Sequence, residues 1–289
     1  MRGSVFPALC GLIAALGCSG ADPPIDAAGA AGSSFGRVTV QASHNHDTDA
    51  VRVSASALFV RWRGLAESTV RTLLSLPGFG VDDLRPGDCR LLDQAAAMGD
   101  AAGGRADIQL LDAGDLTLLT PDHLWALAPR RYPDVLPTLS GFVYGAASDL
   151  APGDRFAVHG RGGAEIGLFH AGTEAPREVR MVAVAGLEAT PGIVLRRGVD
   201  ASVRLDAAAD DTYVELQIGS TDALMALRCR TLGGVATLPA AYLAELPRGE
   251  AVLAGVRWVT APLRIAGGAN LRQGELWVEY RDELAVGLR

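Results

Sequence analysis

The chain has 289 residues, a formal net charge of −7 and 49% hydrophobic residues, which suits two ordinary domains or one large one with a sizeable core. Mean hydropathy is positive, yet no apolar run reaches the roughly 18 residues that span a bilayer, which excludes a polytopic membrane protein built on apolar spans. All 26 basic residues are arginine. Without an ammonium side chain, P-loop phosphate binding, pyridoxal Schiff bases, serine–lysine dyads and kinase-type phosphate lysines are excluded together.

Arg2 is the only charge before Asp22, and Val5 to Leu16 form a short apolar stretch that ends in Gly17, Cys18, Ser19 and Gly20. This pattern predicts a cleaved signal peptide over residues 1–17. Ala15-Leu16-Gly17-Cys18 resembles the bacterial lipobox, which makes Cys18 the lipidation site and the first mature residue. Residues 18–34 follow as a flexible tether, because Asp22 to Ser34 holds Pro, Ala, Gly and Ser with too little apolar surface to offset its ordering entropy. The address therefore predicts an exported, lipid-anchored cell-envelope protein whose membrane partner is reached through the N-terminal lipid. Ser19, in place of an inner-membrane retention aspartate, points to the outer membrane. Removing residues 1–17 takes away Arg2 and no acid, so the mature chain is more acidic still. Its densest basic clusters are the pairs Arg130-Arg131 and Arg196-Arg197, too little for a nucleic-acid-binding face.

From Phe35 onward, period-two alternation dominates. Val38, Val40 and Ala42 share one face and Arg37, Thr39 and Gln41 the other, and Val51, Val53, Ala55 and Ala57 oppose Arg52, Ser54 and Ser56. The pattern recurs at Ile108/Leu110, Leu116/Leu118, Phe156/Val158, Val182/Val184, Val203/Leu205, Val214/Leu216/Ile218, Leu227/Cys229 and Leu276/Val278/Tyr280. Turns such as Pro86-Gly87-Asp88 separate the strands. Helical spacing is confined to Leu65–Leu76 and Pro239–Leu246, read as connectors. The expected fold is all-β, with two antiparallel β-sandwich-like domains over residues 35–175 and 176–289, divided where AGTEAPR breaks the pattern.

Cys89-Arg90-Leu91-Leu92-Asp93, Leu111-Asp112-Ala113-Gly114-Asp115-Leu116 and Arg131-Tyr132-Pro133-Asp134 leading into Ser140-Gly141-Phe142-Val143-Tyr144-Gly145 resemble a group of uncharacterised predicted lipoproteins from high-GC Gram-negative bacteria. The similarity continues through Leu227-Arg228-Cys229 and Leu238-Pro239-Ala240. It implies an envelope location and a β-rich body, and it carries no activity or catalytic residue with it.

Among candidate sites, His44 and His46 stand at the spacing that puts two imidazoles on one strand face, and with Asp47 they make a three-ligand metal candidate. The same run lies between two strands, where Asn and Asp form turns, so a solvated hairpin tip is the simpler expectation. Glu275 and Glu279 flank Trp277 on one strand face, a candidate sugar-stacking or ligand-binding platform whose plainer reading is a solvated face. Cys89, which alternates with Leu91, and Cys229, which alternates with Leu227, belong to the cores of separate expected domains and are expected as two buried thiols. No His-Glu-x-x-His is present, and no cofactor is called for. The expected role is binding or structural. The rivals are a carbohydrate or surface-polymer binder and a hydrolase with a dispersed loop-borne site, for which His123, His159 and His170 are the available bases.

Overall fold

The computed structural model describes residues 33–102, 107–136, 139–148, 153–209, 211–220, 223–266, 271 and 273–289. The expected signal peptide, most of the tether and Cys18 lie outside the described residues. The first half of the chain forms β1 (Ser33–Asn45), β2 (Ala50–Arg63), α1 (Glu67–Leu73), β3 (Cys89–Asp93), α2 (Gln94–Ala102), β4 (Asp107–Leu110), β5 (Leu116–Leu119), β6 (Leu124–Leu136) and β7 (Leu139–Ser148). There follow β8 (Arg155–Gly160), β9 (Phe169–Glu174), β10 (Met181–Val184), β11 (Leu187–Glu188), β12 (Val194–Leu195), β13 (Ala201–Leu205), β14 (Thr212–Ser220) and β15 (Ala223–Arg230). The chain ends with β16 (Val235–Leu238), α3 (Ala240–Glu245), β17 (Gly249–Pro262), β18 (Arg264–Ile265) and β19 (Gln273–Leu288).

The fold is all-β, as the alternation requires. Val38, Val40 and Ala42 of β1 and Val53, Ala55 and Ala57 of β2 are buried on one face, and the two strands pair antiparallel through the turn at residues 46–49. Each such valine contributes roughly 1.5–3 kcal/mol by leaving water. α1 and α3 fall within the two segments with helical spacing. α2 does not: its sequence, QAAAMGDAA, has no apolar stripe, and its helical character comes from alanine propensity and from Asp93, whose Oδ1 accepts from the backbone N–H of Ala96.

The expected division into two domains is corrected by the pairing. One 15-stranded sheet runs β18-β9-β8-β5-β6-β7-β4-β2-β1-β19-β17-β14-β15-β3, with β12 joined to β19, and a four-stranded sheet runs β11-β10-β13-β16. Residues 32–289 form one compact unit with no break at 175/176. The seam between the halves is β1 against β19, parallel and continuous from Phe35↔Gln273 to Asn45↔Glu283. The sheets are thus not purely antiparallel, since β4–β7 and β12–β19 are parallel too. The large sheet folds back so that β9 packs on β17 and β19. Phe156, Val158 and Phe169 thereby share a core with Val38, Val40, Leu276 and Val278.

The expectation of two separate buried thiols is also overturned. β3, from the first half of the chain, pairs with β15 from the second, and the register sets Cys89 opposite Cys229 with Cα atoms 4.0 Å apart. The two cysteines form a disulfide. Separate cores would have kept them apart; one sheet spanning both halves brings them together.

Candidate functional site

The hairpin between β1 and β2 brings His44 and His46 against Asp282 of β19, a group of metal-ligating side chains. Asp282 stands opposite His44 in the β1–β19 register, on the face that carries Val38, Val40, Leu276 and Val278. The cluster therefore closes the end of the main core. His44 Nδ1 lies 2.7 Å from Asp282 Oδ1, and His46 Nε2 lies 2.8 Å from Asp282 Oδ2. Asp282 is fully buried, and its Oδ2 also accepts from the backbone N–H of Met181 at 2.6 Å, which ties β10 to β19. His44 Nε2 meets Asp49 Oδ1 at 2.9 Å. That hydrogen bond, with the imidazole's charge behind it, holds the Asp49 carboxyl below the usual carboxylate range. Arg180 Nη1 also reaches His44 Nδ1, at 2.6 Å, and stands 3.8 Å from Asp282 Oδ1.

The two imidazoles converge as their spacing requires, but the carboxylate they meet is Asp282, not Asp47. Asp47 is exposed and belongs to the turn: the side-chain oxygen of Asn45 accepts from the backbone N–H groups of Asp47 and Thr48. The tip of the run is a solvated turn, and its two histidines face inward to a carboxylate 236 and 238 residues away.

The proposed platform of Glu275, Trp277 and Glu279 is not a surface. Trp277 is fully buried, stacked on Trp258 with ring centroids 5.7 Å apart. The chain between α1 and β3 crosses this second face of the sheet and covers it. Val81 packs with Tyr213, Trp258 and Trp277, and arginines bind the carbonyls of the crossing segment: Arg228 Nη1 donates to Phe79 O at 2.7 Å, Arg230 Nη1 to Leu84 O at 2.9 Å, and Arg37 to Pro77 O. Beneath it the charges balance. Arg37 pairs with Glu275, Arg228 and Arg281 both pair with Glu215, and Arg281 with Glu279, whose Oε2 accepts from Trp277 Nε1 at 2.8 Å. Burial works to raise the Glu215 carboxyl, but the guanidiniums of Arg228 and Arg281 outweigh it and hold it down at about 2. These acids are committed to structure and leave no sugar-stacking face.

No family model matches the chain, and no curated protein matches it. Among solved structures, one that aligns is the yeast delta-COP-I mu-homology domain, at 6% identity over 88% of this chain and 97% of that one, with a TM-score of 0.21. A score at that level carries no argument about fold or function.

Beside the cluster lies a cleft of about 680 Å³ whose walls include Asp154, Arg155, Arg177, Glu178 and Tyr280. Tyr280 is buried, two residues before Asp282 on the same strand face, and its hydroxyl has no hydrogen-bond partner among the described residues. Burial pushes the phenol up to about 12. The three other imidazoles are elsewhere and exposed: His159 and His170 face each other across β8 and β9, and His123 sits at the β5–β6 turn. Sequence reasoning missed Asp282, Arg180 and Tyr280. Tyr280 was legible as a core-face residue, but Asp282 offered no local signal, since its partners lie on a strand at the opposite end of the chain.

Proposed function

We propose that this chain is an exported, lipid-anchored protein of the cell envelope, sited at the outer membrane, whose β body has a binding or structural role. The observation that carries this reading is the Cys89–Cys229 disulfide. Such cross-links persist in the periplasm and at cell surfaces and are rare in a reducing cytosol, which is consistent with the leader over residues 1–17. The lipobox-like Ala15-Leu16-Gly17-Cys18 supplies the anchor and residues 18–34 the reach. The balanced, covered charge layer and the exposed, separated His123, His159 and His170 favour a binding or structural role over a catalytic one.

The test is intact mass and radiolabelled-palmitate incorporation for the wild type and Cys18→Ala, with membrane fractionation and thiol alkylation under non-reducing conditions. The expected result is a labelled, membrane-bound wild type with Cys89 and Cys229 protected from alkylation, and a Cys18→Ala variant that is unlabelled and released. An unlabelled wild type with two free thiols in the cytosolic fraction would overturn the reading.

A further inference from the structure

We propose that His44, His46 and Asp282 form a binding site for a divalent first-row transition ion of the zinc type, and that Arg180 is the resident cation which that ion displaces. The inference concerns the folded body and goes beyond the envelope reading, since it holds whether or not Cys18 is lipidated.

The donor set is the first argument. Two imidazole nitrogens and one carboxylate oxygen, all within 4.8 Å of one another, suit zinc and its neighbours, whereas calcium and magnesium prefer sites built of oxygen alone. Three protein ligands leave a fourth position open, which is the arrangement of a site that exchanges or activates a ligand. The outer contacts are already those of a metal site. With Nδ1 of His44 facing the ion, its Nε2–H donates to Asp49 and fixes the tautomer, and the backbone N–H of Met181 holds the Asp282 carboxylate in place.

The second argument is a conflict at one atom. His44 Nδ1 has either one proton or one lone pair, yet Asp282 Oδ1 stands 2.7 Å away and Arg180 Nη1 2.6 Å away. If Nδ1 is protonated it donates to Asp282 and meets an N–H of Arg180 head on. If it carries the lone pair it accepts from Arg180, and no proton lies between it and the carboxylate oxygen. One of the two short contacts is unsatisfied in either tautomer. A divalent ion in the place of the guanidinium resolves this, because the Nδ1 lone pair and Oδ1 then both point at positive charge.

Arg180 is free to leave. Its side chain is 38% exposed and already lies 3.4 Å from Glu178 on the wall of the cleft, so the displaced guanidinium keeps an anionic partner. Tyr280, two residues from Asp282 on the same strand face, lines that cleft and has an unpartnered hydroxyl.

The experiment is calorimetric titration of the full chain with Zn²⁺ after chelator treatment, repeated with Co²⁺ to read the ligand-field spectrum, with circular dichroism on every variant. One equivalent of Zn²⁺ is expected, with a Co²⁺ spectrum of a low-coordinate nitrogen and oxygen site. His46→Ala is the decisive variant, because this half-buried side chain can be removed without opening the core. It should weaken binding by more than about 100-fold, and Asp49→Ala by roughly 10-fold, as the loss of a ligand and of an outer contact would. Arg180→Ala should tighten binding, because the competing cation is gone. Absence of stoichiometric binding, or binding that survives His46→Ala, would sink the metal site; weaker binding in Arg180→Ala would overturn the displacement.

Discussion

The backbone at Gly78 rests against the indole ring of Trp277, so that a Cβ at that position would overlap the ring. Gly78 also has φ +63°, a left-handed conformation that glycine adopts without a steric cost. This contact is where the crossing segment seals the second face of the sheet. Gly78→Ala should therefore destabilise the protein by roughly 2–4 kcal/mol, the sum of backbone strain and overpacking. Gly87→Ala is the control: it has φ +90° with open space around it, and should cost only about 1 kcal/mol. Urea unfolding with near-ultraviolet dichroism of the tryptophans distinguishes the two, and equal losses would show that the Trp277 contact carries no weight.

Glu215 is fully buried between two guanidiniums, and their attraction sets its pH dependence. Its carboxyl is held at about 2 in the folded protein, against an ordinary value of 4.5. Between these values the unfolded chain binds more protons than the folded one, so the stabilisation is complete above about 4.5 and is lost as pH falls toward 2. Glu215→Gln should flatten the stability–pH slope in this window by up to about 1.4 kcal/mol per pH unit. Glu215→Ala should cost about 3–5 kcal/mol at neutral pH, because Arg228 and Arg281 are left buried without it. Denaturant midpoints from pH 2 to 7 check both, and an unchanged slope in Glu215→Gln would refute the assignment.

The disulfide closes a separation of 140 residues between two strands at the edge of the large sheet. Reduction, or Cys229→Ser, should lower stability by about 2–5 kcal/mol. Because β3 is the last strand of the large sheet, hydrogen exchange should quicken first in residues 89–93 and in the β15 amides that face them. Uniform exchange across both sheets after reduction would contradict this localisation.

Tyr280 buries a hydroxyl without a protein partner. Tyr280→Phe removes a desolvated polar group and keeps the ring, so the melting temperature should hold or rise. A loss of more than about 1 kcal/mol would mean that the hydroxyl anchors a water in the cleft.

Period-two alternation is a local property, and the residues that express it were legible from the sequence alone. Val38, Val40 and Ala42, and likewise Leu276, Val278 and Tyr280, had to face a common interior, because a strand with one apolar face is stable only when that face leaves water. The placing of His44 and His46 on one face followed from the same spacing, but that this face turns inward did not. What alternation could not reveal is which distant segment covers the other face. Glu275, Trp277 and Glu279 read as solvated, yet the chain around Gly78 lies over them and the paired arginines offset the cost of burying their charge.

The parallel pairing of β1 with β19 is likewise a tertiary decision. It merged two expected domains into one unit, supplied Asp282 to the histidines, and set β3 beside β15 as the edge of a sheet shared by both halves of the chain. Strand edges carry the same unpaired amides and carbonyls whatever their side chains, so sequence near a strand does not name its neighbour. The burial of the whole chain chooses it.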